Sequence, residues 1–282
     1  MNRLRKIKRT YGAFTNAGIQ DFIAYRANFL GFFLGEILMC FVMYFIWKAV
    51  YASSGKTDFM GFSMVDMMVY VFLTNIAGFI TGTDSTYSIA EEIKDGSIIM
   101  RLIKPVKVDL SFLFFELGNK VMLMTCVFIP VMLGLELYRY FALGYVAFKI
   151  SRLILFVISI SISYLLAFYL NLIFGYLAFF LLNLWGFNIL KESIIKFFSG
   201  AIIPLAFFPG PVRAVFSRLP FASLTYTPVM IYMEKYTGSE LAINMLMQVM
   251  WLAIFILISK LIWIWAEKRL AVQGGWIVSS EL

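Results

Sequence analysis

The chain of 282 residues contains no histidine, only two cysteines and only 14% charged residues. Each shortage removes a class of chemistry. Without histidine there is no His-dependent triad, no H-E-x-x-H zinc site and no imidazole proton relay. Cys40 and Cys126 lack metal-ligand spacing and both fall inside apolar runs, so they read as buried small hydrophobes without a disulfide. The scarcity of charge accompanies a hydrophobic content of 62% and a mean hydropathy of +0.86. A soluble domain has roughly a quarter of its residues charged, so the chain is an integral membrane protein. Several runs reach the roughly 20 residues that a helix needs to cross about 30 Å of hydrocarbon. None alternates in the pattern of a barrel strand, and the expected fold class is all-α.

What charge there is gives a net +8, concentrated beside the apolar runs, which points to anionic lipid and orientation and away from nucleic acid. Leu4, Ile7, Tyr11, Phe14 and Gly18 repeat at three and four residues, with Arg3, Arg5, Lys6, Lys8 and Arg9 mostly on the other side. The spacing predicts an amphipathic helix over residues 1–22 lying in the cytoplasmic interface. A signal peptide is disfavoured, because the apolar run comes late, is too long for an h-region and has no A-x-A-like site behind it.

Spans are expected at about 28–50, 64–80, from within 110–120 to 135, and 153–183, then, after a turn at 183–191, a fifth that carries Gly200 and Pro204 and breaks near its outer end, giving way to Pro209, Gly210 and Pro211, and a last at 241–265. The 153–183 run is about 46 Å of helix, too long for one upright crossing and too short for two, so it reads as one tilted or extended span. Phe221 to Met233 is too short to cross, and residues 209–235 form a candidate outer re-entrant segment. Gly55-Lys56-Thr57 is not a phosphate loop, since Val50 stands where that motif needs its first glycine. Six spans put both termini on one side, and the positive-inside rule makes that side the cytoplasm of a multi-pass cell-membrane protein.

The longest charged stretch between two spans is Ser88 to Val106, inside a segment 84–109 that stays out of the bilayer. Ser88 and Glu91 have capping-box spacing, Ile89 and Ile93 share a face, and Gly96 suits a left-handed helix end. Pro105 marks the break before the chain re-enters the membrane.

Glu92-Ile93-Lys94-Asp95-Gly96 followed by Leu102-Ile103-Lys104-Pro105-Val106, and later Ser199-Gly200-Ala201-Ile202-Ile203-Pro204-Leu205 followed by Pro209 and Leu219-Pro220-Phe221, resemble the permease subunits of type-2 ATP-binding-cassette exporters. The resemblance covers nearly the whole chain and implies six spans, an N-terminal interfacial helix, a cytoplasmic coupling helix and a re-entrant segment before the last span. It implies a non-catalytic permease that pairs with ATP-binding-cassette ATPase subunits and with a second identical or homologous permease. ATP and Mg are expected on the ATPase and no cofactor on this chain, which has no full phosphate loop. Coupling-helix contacts are expected from Ile89, Glu91, Glu92, Ile93, Lys94, Asp95 and Gly96, and an outer gate at Gly200, Pro204, Pro209 and Pro220. The substrate expected is hydrophobic or amphiphilic: a drug, lipid or peptide.

Polar residues inside the spans leave alternatives open. Glu36 is either a wall of the substrate route that attracts a cation, a structural partner of Lys120, or a protonated group hydrogen-bonded to a neighbour. Glu116 and Lys120 have i, i+4 order and are expected to neutralise one another. Thr74, Asn75, Ser159, Ser163 and Asn171 line a cavity or hydrogen-bond between helices. The rival functions are an ion-coupled secondary transporter with Glu36 as the ion site, and a membrane-embedded enzyme, which lacks an evident catalytic group.

Overall fold

The computed structural model describes residues 3–55, 57–145, 148–181 and 184–267. The expectations placed on the side chains of residues 1–8 lie outside what is described. The all-α expectation holds: the only strands among the described residues form one two-residue hairpin.

Helix α1 (Arg3–Ala24) ends at Tyr25, whose φ of −98° and ψ of 22° break the chain before α2 (Arg26–Ser54). Gly55, at φ 63°, closes α2, as a residue without a Cβ can. The loop beyond it holds a hairpin not anticipated from sequence, β1 (Asp58–Phe59) against β2 (Phe62–Ser63). Met60 and Gly61 both have positive φ, as a primed two-residue turn requires. The Asp58 carboxylate accepts the Gly61 N–H at 2.8 Å.

Helix α3 (Met64–Thr81) starts on a complete capping box, with the Ser63 hydroxyl accepting the Asp66 N–H at 3.1 Å and Asp66 accepting the Ser63 N–H at 3.2 Å. The second span begins where expected for this reason. Helix α4 (Ser85–Lys94) is the predicted extramembrane helix, but it starts on Asp84. Ser88 is therefore interior, and the Ser88–Glu91 box is corrected. Gly96, at φ 79°, and Pro105 end the segment as the spacing predicts, with α5 (Ile99–Leu102) between them.

The third span is α6 (Val108–Leu123), a π turn at Met124–Phe128 and α7 (Ile129–Leu143). Pro130 has no N–H to give and its ring crowds the preceding turn, which the wider π turn accommodates. Helix α8 (Ile150–Tyr176), extended by a 3-10 turn at Leu177–Phe179, is the long single run. Among the described residues five stretches are long and apolar enough to cross a membrane: α2, α3 with α4, α6 with α7, α8, and α12 (Gly238–Glu267). At the place of the expected fifth span stands α9 (Trp185–Phe198), 14 residues or about 21 Å, shorter than a crossing. It stops because Gly200 adopts φ 75° and Pro204 follows. A 3-10 turn at Leu205–Phe207, α10 (Gly210–Phe216) and the fully buried α11 (Tyr226–Tyr232) lead into α12.

Helix α8 is the hub, packed by α3, α4, α11 and α12. Between α8, α12 and the chain before α11 lies a polar knot. Ser159 donates to Gln248 at 2.8 Å, Gln248 donates to Ser163 at 2.9 Å and to the Ser223 carbonyl at 3.0 Å, and all four are buried. Ser159 and Ser163 thus join helices and do not line a cavity. Cys40 is buried, but Cys126 is exposed, correcting the expectation that both are buried; both are free thiols. Cys126 sits on the outer side of the π turn, where an apolar thiol is as acceptable to lipid as to a core.

Candidate functional site

The hairpin and the segment after α9 mark one end of the bundle; α1, α4 and α5 mark the other. Helix α1 lies along α6, where Tyr11 stacks on Phe114 with ring centres 5.0 Å apart and its hydroxyl accepts the Lys107 N–H at 3.2 Å. The basic N-terminal helix and the charged segment thus share one end.

The two sides of α4 differ. Its inner side buries Ser85, Thr86, Ile89 and Ala90. Ile89 is fully buried against α8, where a Cβ on Gly175 would come within 3.0–3.2 Å of it. This corrects the expectation that Ile89 faces a partner: α8 occupies the apolar face that the helical spacing defines. Ile93, partly buried, packs against the same core. Glu92 is likewise turned inward. Its carboxylate receives both the Nε–H and an Nη–H of Arg101 at 2.6 Å, while Arg101 also donates to Ser111 at 3.0 Å and lies 3.9 Å from the Phe112 ring centre. This bidentate pair ties α4 to α5 and α6.

The outer side of α4 exposes Tyr87, Glu91, Lys94 and Asp95. With Ala90, Leu184 and Trp185 they line a groove of about 500 Å³. Hydrogen bonds from Ser97, whose N–H lies 2.8 Å from the carboxylate, hold the Asp95 carboxyl below the usual carboxylate range. Asp95 is therefore ionised at neutral pH. Gly96 supplies the turn and no side chain.

Behind α4 lies a second cluster that sequence spacing did not show. The Lys191 ammonium, buried with 6% exposure, donates to Asn171 Oδ1 at 2.5 Å and to the Thr86 hydroxyl at 3.2 Å, and stands 5.5 Å from the Phe174 ring centre. Thr86 in turn donates to Asn171 at 2.9 Å. One ammonium thereby joins α4, α8 and α9. Asn171, expected on a substrate route, is instead the acceptor at the centre of this cluster. Thr74 is also corrected to a structural role: it is buried and donates to the Val71 carbonyl of its own helix at 2.9 Å. Asn75, partly buried, donates to the same carbonyl at 2.8 Å.

Glu116 and Lys120 do not form the expected ion pair. Lys120 donates to the Phe79 carbonyl at 3.0 Å and to the Gly82 carbonyl, capping the end of α3, while Glu116 accepts from the Ser85 hydroxyl. With Lys120 so engaged, Glu36 does not pair with it either. Glu36 is exposed on α2 and makes no hydrogen bond or ion pair among the described residues.

At the other end, Gly200 and Pro204 are buried at the break after α9, and the Gly200 carbonyl accepts from the Tyr70 hydroxyl of α3. Pro209 caps the exposed start of α10 and Pro220 is buried before α11. Lys235 reaches back to Asp66 at 3.2 Å and Tyr232 donates to Glu136 at 2.6 Å, binding this end into one unit.

A bundle packed round α8, with five stretches among the described residues long and apolar enough to cross a membrane, is that of a multi-pass membrane protein. Residues 37–274 match the family described as ABC-2 family transporter protein, and the chain belongs to that family. It is thus a membrane subunit of an ATP-binding-cassette transporter, and that membership implies association with an ATPase subunit. No curated protein matches the chain.

Proposed function

We propose that the chain is the permease subunit of an ATP-driven exporter that carries a hydrophobic or amphiphilic substrate, such as a drug, lipid or peptide, out of the cytoplasm. Hydrolysis takes place on a separate ATPase chain, which binds the ATP and Mg. The observation that carries this reading is the two-sidedness of α4: its inner face is fixed to α8 by Ile89 against Gly175 and to α9 through Thr86 and Lys191. Its outer face, with Tyr87, Glu91, Lys94 and Asp95 beside Trp185, is the docking surface for the ATPase. A displacement of that face is delivered to α8 and α9, since α4 cannot move without them.

The basic residues of α1 and of the α4–α6 segment support, by the positive-inside rule, a cytoplasmic location for this end in a protein of the cell membrane. With α9 and the chain after it counted as the sixth traverse, both termini lie on that side. The break at Gly200 and Pro204, bounded by Pro209 and Pro220, serves as the outer gate. An exposed carboxylate at Glu36 costs a few kcal/mol in lipid, which favours cover by a second permease, identical or homologous. Thr74 and Asn171 are held inside the chain, so Asn75 and Glu36 are the route residues that a substrate can reach.

The test is purification of the tagged chain with its ATPase, reconstituted in proteoliposomes. Tyr87→Asp is expected to remove the ATPase and the ATP hydrolysis while the permease still inserts. Retention of both would refute α4 as the docking helix.

A further inference from the structure

Six buried side-chain polar atoms among the described residues have no hydrogen-bond partner, and three of them belong to residues that line one cavity. They are Thr83 Oγ1, Glu116 Oε2 and Asn119 Oδ1. The cavity, of about 260 Å³, lies where α1 and α6 meet the turn between α3 and α4. It shares no lining residue with the groove on the outer side of α4.

The charge around this cavity is unbalanced. Asp21, Asp84, Glu92 and Glu116 line it against Arg101 and Lys120, so carboxylates exceed cations by two in a chain whose net charge is +8. Both cations are already engaged. Arg101 closes its fork on Glu92 and donates to Ser111, while Lys120 donates to the Phe79 and Gly82 carbonyls. Among the described residues no cation is within ion-pair reach of Asp21, Asp84 or Glu116. Glu116 is the critical member, because it is only 8% exposed: one of its oxygens accepts from the Ser85 hydroxyl and the other from nothing. A buried carboxylate is costly unless it is paired and its lone pairs are satisfied. The unpartnered Tyr164 hydroxyl, on a ring 5.8 Å from the Lys120 ammonium, is a neutral donor and leaves the excess of charge as it is.

These groups call for a cation that brings its own N–H donors. The carboxylates do not group as a metal cage would. A quaternary ammonium suits the Phe112 and Phe115 rings on the wall, but it has no N–H and would leave Glu116 and Asn119 unsatisfied. A drug-sized molecule needs a larger site, of about 300 Å³ or more. A primary ammonium on a short stem has three donors, a full charge and a small volume.

We infer that this cavity binds a primary ammonium group, held by Glu116 and Asn119, with Asp21 and Asp84 supplying the attracting field. Two sources carry that chemistry: the aminoethyl head of a phospholipid and a free small amine. With α3 spanning the bilayer and α4 outside it, the turn at Gly82 to Asp84 stands at the height of lipid headgroups. The site is separate from the ATPase docking face and from the substrate route, and it does not depend on the direction of transport.

The test uses the purified full chain, delipidated in mild detergent. Short-chain phosphatidylethanolamine or phosphatidylcholine with the same acyl chains is then added, and bound lipid is counted by native mass spectrometry. Phosphatidylethanolamine should be retained at least five-fold above phosphatidylcholine, and Glu116→Gln should bring it down to the phosphatidylcholine level. Asp84→Asn, at an exposed position, guards against a folding defect in that variant and should lower the selectivity about three-fold. Glu240→Gln, at the other end of the bundle, should leave it unchanged. Displacement of the lipid by free ethanolamine at millimolar concentration would assign the site to a free amine, and resistance to displacement would assign it to the lipid head; either result keeps the ammonium site. Equal retention of the two lipids with no effect of ethanolamine, or selectivity that survives both Glu116→Gln and Asp84→Asn, would overturn it and leave the cavity to water.

Discussion

Gly18 of α1 and Gly118 of α6 face each other backbone to backbone. A Cβ on Gly18 would overlap the Phe115 carbonyl, and one on Gly118 would overlap the Thr15 carbonyl and stand 2.9 Å from the Ile19 nitrogen. Small residues that let two helix backbones meet are a known means of packing where the hydrophobic effect no longer distinguishes helix from lipid. Gly18→Ala and Gly118→Ala should each destabilise the folded chain by about 1–3 kcal/mol or more, because the neighbour is backbone and has no rotamer to change. Thermal unfolding in detergent measures this. A Gly118→Ala protein as stable as the unaltered one would contradict the crossing.

The Lys191 cluster predicts an asymmetry between its members. Asn171→Leu takes from a buried ammonium the nearer of its two acceptors, leaving only the Thr86 hydroxyl, and should cost about 1–3 kcal/mol or more. Lys191→Met removes the buried charge itself and should be nearly neutral for stability. Combining the two should recover most of the loss, which a double-mutant cycle of unfolding free energies reads directly. Additive losses would show that the two side chains do not act as a pair.

Arg101→Lys keeps the charge opposite Glu92 but not the fork, and should cost about 1–2 kcal/mol, since a lysine cannot make both hydrogen bonds or stack on Phe112. Glu92→Gln should lose a similar amount. Hydrogen exchange at the backbone of residues 97–107 is the sensitive measure: faster exchange in both variants is expected, and unchanged protection would separate the ion pair from the order of this segment.

Gly200→Ala places a Cβ at a φ of 75°, within 3.0–3.2 Å of Tyr226, the Tyr70 hydroxyl and Leu205. Left-handed backbone costs a residue with a Cβ about 1–2 kcal/mol, and the crowding adds to it. Weakened folding of the outer segment should appear as faster proteolysis around residues 199–236. Wild-type resistance would mean that the break after α9 tolerates a side chain.

Span positions were legible in the sequence where the chain punctuates itself. Ser63 with Asp66, Gly55, Gly96 and Pro105 fix element ends by local chemistry, and those ends stand within a few residues of expectation. Which side of each span is buried was not legible, since lipid and protein interior are both apolar and hydropathy does not separate them. Cys126 was misassigned for that reason, and Ile89 for another: the spacing defines an apolar face on α4 without saying whether a partner or the chain's own α8 fills it. The length of α9 depended on where the chain after Gly200 turns, which the tyrosine at position 70 determines from across the fold. The Lys191 cluster brings together residues more than 100 positions apart in the case of Thr86, and no spacing rule reaches that far.

The central claim is that the outer face of α4 receives the ATPase, and site-specific photocrosslinking tests it most directly. A benzophenone amino acid at Tyr87 or Lys94, in the intact complex in native membranes, should yield an adduct identified by mass spectrometry as a chain carrying an ATP-binding-cassette phosphate loop. The same group at Ser54, at the other end of the bundle, should yield none. An ATPase adduct from Ser54, or none from either α4 position in a complex that still hydrolyses ATP, would contradict the account.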